Sequence, residues 1–220
     1  MNNDRNDNWT GQWAKNKLQE NKDVTSIKLT NPNLLEIAYK HNGKYKVATM
    51  DLPEISRLDL NKLLNGENIS FVLNITPGPY ISGDALKFSS ERGFSIGGMG
   101  DLLRALSEKN LANYVPPDAR FILRGLRQHR KVSGAERLDS LRIEIEMITY
   151  SNIIILVLSD YELTADSFRS AMERVPDFDA VLASNPNREP TNECLEAVAS
   201  TGKKIFTWKE LFKELNSPWK

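Results

Sequence analysis

Cysteine is nearly missing from this chain. Cys194 is the one thiol in 220 residues, which excludes an intramolecular disulfide and any cysteine-rich zinc site. It reads as a small residue on the packed face of a helix. Histidine is nearly as scarce: His41 and His129 stand far apart and form no HExxH pattern, so a zinc centre is not supported. There is no GxSxG nucleophile motif and no GK[ST] phosphate loop. No apolar run approaches the roughly 20 residues of a membrane span. Charge of one sign is not in excess, with Lys plus Arg and Asp plus Glu at 29 each. That balance argues against a general polyanion binder and leaves room for a local basic patch. The opening MNNDRNDNW is polar and lacks the apolar core of a signal peptide. It predicts a flexible leader over 1–8 and a cytoplasmic protein with no membrane partner. What is present, 40% hydrophobic and 26% charged residues, is ordinary for a globular protein, and the length suits one large domain or two small ones.

Trp9 to Asp23 reads as a helix and Val24 to Leu29 as a strand. Leu34–Tyr39 and Tyr45–Met50 flank His41-Asn42-Gly43-Lys44, a strong hairpin signal. Pro53 fits the first turn of a helix that Asn65-Gly66 stops. Ile69–Ile75 suits a strand buried on both faces. Ser82 caps a helix that Gly93 ends. A short strand at Phe94–Ile96 and a helix over Asp101–Leu106 follow. Beyond Pro116-Pro117, the same order returns: a helix over Asp118–Lys131, extended runs at Val132–Leu138, Leu141–Ile148 and Ile153–Leu158, then a helix over Thr164–Val175. The last stretch, Phe178 to Leu215, reads strand, turn, helix, strand, helix. Thr191 is its N-cap, and Gly202 follows the helix end.

Sliding the chain by about 109 residues aligns Asp51–Ser107 with the second half without a gap. Asp51 falls on Asp160, Pro77 on Pro186, Gly93 on Gly202, Leu102 on Leu211 and Leu106 on Leu215. A one-residue slip upstream places Leu18 on Leu126 and Val24 on Val132. The reading is α/β with two tandem pseudo-repeats, 9–111 and 112–220. Each has the order α-β-β-β-α-β-α-β-α, a mixed sheet flanked by helices. This order resembles restriction-endonuclease-like domains, the PD-(D/E)xK nucleases. The tail from Asp179 to Leu215 is most similar to their Mrr-type members.

That resemblance implies an acid on the second strand and an acid-x-lysine on the third, holding a divalent metal that orients water. In the second half, Asp139, Glu144 or Glu146 stands where the second-strand acid belongs. The third strand, IIILVLSD, ends in Asp160 with no lysine two residues after an acid. In the first half, Glu36 lies on the second strand. The third strand, KYKVATMD, has its lysines too early and ends in Asp51. Neither half matches the catalytic pattern. Glu36, Asp51, Glu144 and Asp160 remain candidates for a metal site of other geometry, with Asp139, Glu144 and Asp160 the catalytic candidates. The alternative is that both aspartates only begin the loops after their strands and cap the next helix.

Two further patterns point to anions. Gly97, Gly98 and Gly100 precede a helix whose N-terminus could hold a phosphate, or they form a bend. Arg120, Arg124, Arg127 and Lys131 recur along one predicted helix as a basic stripe, suited to nucleic-acid phosphates, an acidic protein or solvent. The expectation is a non-catalytic binding protein of degenerate nuclease-like repeats that contacts nucleic acid and needs no cofactor. One alternative is a nuclease using Mg²⁺. Another is a protein-interaction module, with Trp208, Phe212 and Trp219 part of the surface that meets a protein partner.

Overall fold

Internal packing divides the chain into two units, Met1–Pro117 and Asp118–Lys220, a few residues beyond the join expected at 111–112. The computed structural model describes residues 9–40, 43–187 and 189–219. The leader expected over 1–8 and the turn residues His41 and Asn42 lie outside the described residues.

The first unit runs α1 (Trp9–Gln19), β1 (Val24–Asn31), β2 (Leu34–Tyr39), β3 (Gly43–Met50), β4 (Glu54–Ile55), α2 (Arg57–Leu64), β5 (Phe71–Asn74), β6 (Tyr80–Ile81), α3 (Gly83–Arg92), β7 (Ser95–Gly97) and α4 (Met99–Glu108). Its main sheet has the order β1-β2-β3-β5-β7. The first three strands pair antiparallel, and β3, β5 and β7 pair parallel. Period-2 alternation sends Leu35, Ile37, Val47, Phe71 and Leu73 to one face, against Leu18 of α1 and Leu102 and Leu106 of α4. Ala48, Met50, Val72 and Ile96 go to the other, against Leu60 of α2 and Phe88 of α3.

The helix expected to begin at Pro53 begins later. Ser56 is its N-cap, and Asp59 closes a reciprocal capping box with it. The Ser56 hydroxyl, first among the causes, holds the Asp59 carboxyl below its ordinary range. Pro53 instead leads into the two-residue β4, which pairs parallel with β6. Strands that short show no periodicity, and the reading above missed both.

The second unit runs α5 (Pro117–Arg127), β8 (Val132–Arg137), β9 (Arg142–Met147), β10 (Ile153–Leu158), α6 (Ala165–Arg174), β11 (Ala180–Ala183), α7 (Asn192–Ser200), β12 (Lys204–Phe206) and α8 (Trp208–Glu214). Its sheet has the order β12-β11-β10-β9-β8. β8, β9 and β10 pair antiparallel, and β10, β11 and β12 pair parallel. Ile143, Ile145, Ile155 and Leu182 pack with Ile122 and Leu126 of α5, Leu211 of α8 and Leu215, the residue that ends it. Alternation turns Leu156, Val181 and Ala183 to the opposite face, and α6 and α7 bury Phe168, Cys194 and Val198.

Gly93 after α3 and Gly202 after α7 have φ of 71° and 73°, the left-handed conformation that lets a helix stop in one residue. The architecture is mixed α/β in both units. No helix among the described residues is long and apolar enough to cross a membrane.

Candidate functional site

The second unit carries a row of aromatic rings along α5 and α8. Leu211 and Leu215 point α8 into the core. Helical spacing then places Trp208 and Phe212, one turn apart, on the flank toward α5. There the α5 backbone is bare: a Cβ on Gly125 would lie 3.5 Å from the Phe212 ring and 3.7 Å from the Trp208 ring. Phe121 meets Trp208 edge-on at 5.6 Å between centroids. Trp208 meets Phe212 at 5.5 Å, and Phe212 meets His129 at 5.5 Å. Four rings therefore follow one another. The outermost, Phe121, is 66% exposed.

Cations stand on both sides of the row. On α5, helical spacing sets Arg120 and Arg124 on the solvent side of Phe121, and both are exposed. On α8, Lys209 and Lys213 each follow an aromatic residue by one position and are exposed. Among the described residues, the side chains of Arg124, Lys209 and Lys213 make no hydrogen bond or ion pair. The acids of α8 are engaged elsewhere. Glu210 accepts from the Thr207 amide and hydroxyl, both at 2.8 Å, and those bonds hold its carboxyl below the ordinary range. Glu214 pairs with Lys204 at 2.7 Å.

The row ends in a cavity of about 610 Å³. Its walls include Phe121, Ile122, Pro186 and Trp208, and its polar lining includes Asp118, Ser159 and Asn187. Ser159 follows β10, Ser184 to Asn187 follow β11, and Trp208 follows β12. The cavity therefore opens at the carboxyl ends of three parallel strands, the usual place for ligands in α/β sheets. Asn185 shapes the mouth: its Oδ1 accepts the Asn187 amide at 3.0 Å, and its Nδ2 donates to the Asp160 carbonyl at 3.3 Å.

No family model, curated protein or solved structure matches this chain.

The basic stripe is shorter than its spacing predicts. α5 ends at Arg127, so Lys131 sits beyond the helix, in a turn where its amide donates to His129 Nδ1 at 3.3 Å. Arg127 folds back and donates through Nε and Nη2 to the Ala135 carbonyl, at 3.0 and 2.6 Å. Arg120 and Arg124 are the part of the stripe that faces outward from the helix. Sequence reasoning placed Trp208 and Phe212 on an interaction surface. It missed their alignment with Phe121 and His129, for which Gly125 within an amphipathic helix was the available signal.

The acidic candidates do not converge. Asp139 is buried, with Oδ1 accepting the Leu141 and Arg142 amides and Oδ2 accepting Arg142 Nε, each at 2.8 Å. Glu144 accepts from Asn152 at 3.0 Å and lies opposite Ile154 on β10. Asp160 lies six residues further along that strand direction, roughly 20 Å away at the rise of an extended chain. Its charge adds to burial, the larger cause, in pushing the Cys194 thiol up. In the first unit, Glu36 lies opposite Lys46, and Asp51 is five residues on, roughly 16 Å away. Asp51 accepts the Thr76 hydroxyl. Nor does strand register support the pairing of Asp51 with Asp160. Met50 ends its ladder opposite Asn74 and Leu158 ends its own opposite Ala183, so the residue placed like Asp51 is Ser159. Among the described residues, no three His, Cys, Asp or Glu side chains gather as metal ligands.

The glycine candidates differ from expectation for one reason. Gly97 is buried in β7, and a Cβ there would lie 2.7 Å from Asp101. The Gly98 amide donates to Asp101 Oδ2 at 3.1 Å. The helix that Gly98 caps and Gly100 belongs to thus carries its own carboxylate at the N-terminus, where an external anion would be repelled.

Proposed function

We propose that this chain is a non-catalytic nucleic-acid-binding protein that holds a strand along α5 and α8 of its second unit. The observation that carries the reading is the row Phe121–Trp208–Phe212–His129 set between Arg120 and Arg124 on one side and Lys209 and Lys213 on the other. Aromatic faces accept stacked bases of any sequence, and flanking cations take the phosphates. The acids support a non-catalytic role, because Asp139 is committed to Arg142 and to backbone amides while Glu144 and Asp160 stand apart.

We also infer that the two units are tandem pseudo-repeats of one ancestral unit whose element order resembles restriction-endonuclease-like domains. Their ladders support this. Val24 pairs with Tyr39 and Val132 with Met147, each with a register shift before the next pair. The matching left-handed glycines and the buried pairs Leu18/Leu126 and Leu102/Leu211 add to it.

The test is titration of the full chain with single-stranded and duplex DNA while salt is varied and Trp fluorescence is followed. Neutralising Arg124, Lys209 and Lys213 together should reduce the magnitude of the single-strand salt slope by about 2, at roughly 0.7 per phosphate contact. No binding at low salt, or a slope unchanged by that neutralisation, would sink the reading.

A further inference from the structure

We propose that the cavity beside Phe121 and Trp208 receives one unstacked nucleobase bearing an exocyclic amine. The inference rests on the nucleic-acid reading above and assigns the chemistry that the bound strand must offer. Phe121 and Trp208 belong both to the aromatic row and to the cavity wall, so a strand stacked along the row meets the cavity. A volume of about 610 Å³ lies within the range of small-molecule sites and has room for a single nucleoside.

The lining sorts into two kinds of surface. Phe121, Ile122, Pro186 and Trp208 are apolar and suit the faces of a flat heterocycle. Asp118, Ser159 and Asn187 are polar and suit its edge. Among the described residues, the side chains of these three make no hydrogen bond or ion pair, so their hydrogen-bonding groups are available. The turn held by Asn185 fixes the backbone from which Asn187 projects.

Asp118 decides the class of base. An ionised carboxylate only accepts hydrogen bonds, and it repels phosphate. Here it lies in the first turn of α5 and lines the cavity. The part of a nucleotide that suits it is an N–H donor. Cytosine, adenine and guanine each bring an exocyclic amine, whereas thymine presents carbonyl oxygens at the corresponding positions. Asn187 supplies both a donor and an acceptor and complements the rest of the edge.

Oligo-dC and oligo-dT of about 12 nucleotides separate these effects, since both are pyrimidines and carry the same phosphates. The full chain should bind oligo-dC about tenfold more tightly than oligo-dT, the discrimination of one good base-edge contact. Asp118→Ala should abolish the preference while leaving the salt slope intact, with circular dichroism confirming the fold. Ser159→Phe, which fills the cavity from the loop after β10, should abolish it too. Equal binding of the two oligonucleotides by the unaltered chain, with the salt slope retained, overturns the base site alone. A preference that survives both variants overturns it as well. Failure to bind either oligonucleotide at low salt overturns the nucleic-acid reading itself.

Discussion

Arg127 gives both Nε and Nη2 to the Ala135 carbonyl, tying the end of α5 to the edge strand β8. Arg124, one turn earlier, faces solvent. Truncating the two should therefore have opposite consequences. Arg127→Ala should destabilise the protein by about 1–3 kcal/mol, the range for a lost charged hydrogen bond. It should leave the salt slope of binding unchanged. Arg124→Ala should leave stability within about 0.5 kcal/mol and reduce the slope. Urea unfolding and a salt titration read the two effects.

Gly125 has room for a methyl group and nothing larger. A Cβ would make ordinary contact with Phe212 and Trp208. Gly125→Ala should stabilise α5 by up to about 1 kcal/mol through helix propensity. Gly125→Leu should push the rings off the helix and lower affinity for a single strand. Thermal melts and Trp fluorescence distinguish these outcomes.

Tyr114 supplies a pH dependence. Burial, then the hydrogen bond and charge of Asp101, push its phenol up from 10 to about 12. The folded state holds the proton more tightly than the unfolded chain. The associated stability is thus fully present below pH 10 and is lost as pH rises from 10 through 12. The loss should be on the order of 2–3 kcal/mol. Tyr114→Phe should flatten this alkaline decline in a pH series of urea melts.

The acids should separate by function. Asp139→Ala leaves Arg142 without its carboxylate and two amides without their acceptor. It should cost about 3–5 kcal/mol. Asp160→Ala should leave stability nearly unchanged. Neither the unaltered chain nor the Asp160→Ala variant should nick plasmid DNA in Mg²⁺ or Mn²⁺. Cleavage by the former that the latter loses would establish the nuclease alternative.

Gly93 and Gly202 allow a paired measurement. Nothing lies within 4 Å of a Cβ at either, so the cost of Gly→Ala is conformational alone. Each substitution should destabilise its own unit by about 1–2 kcal/mol, and by similar amounts. A large difference in denaturant midpoints would count against the shared backbone inferred for the two units.

Much of the element order was legible because punctuation carried it. Asn65-Gly66, Gly93 and Gly202 adopt the left-handed backbone their types favour, and Ser82, Thr164 and Thr191 are N-caps. β10 was legible as an unbroken apolar run. Where the reading failed, a local signal competed with a tertiary one. Pro53 resembled a helix start, but Ser56 and Asp59 formed the stronger cap. The regular spacing of Arg120 to Lys131 took no account of the Ala135 carbonyl that draws Arg127 away. The site was the least legible part. Phe121, Trp208, Ser159 and Asn187 are distant in sequence, and neither periodicity nor a motif links them. Only the parallel packing of β10, β11 and β12 brings Ser159, Asn187 and Trp208 to one end, beside Phe121 of α5.

The ends of the two five-stranded sheets have a consequence for handling the protein at high concentration. Each open sheet presents two outer strands, and an outer strand can template the addition of a foreign one. β1 and β8 interrupt that template with register shifts, at Val24/Ser26 and Val132/Gly134. β7 and β12 limit it by having three residues each. Straightening β8, the more regular of the two long outer strands, should make the chain self-associate through its backbone.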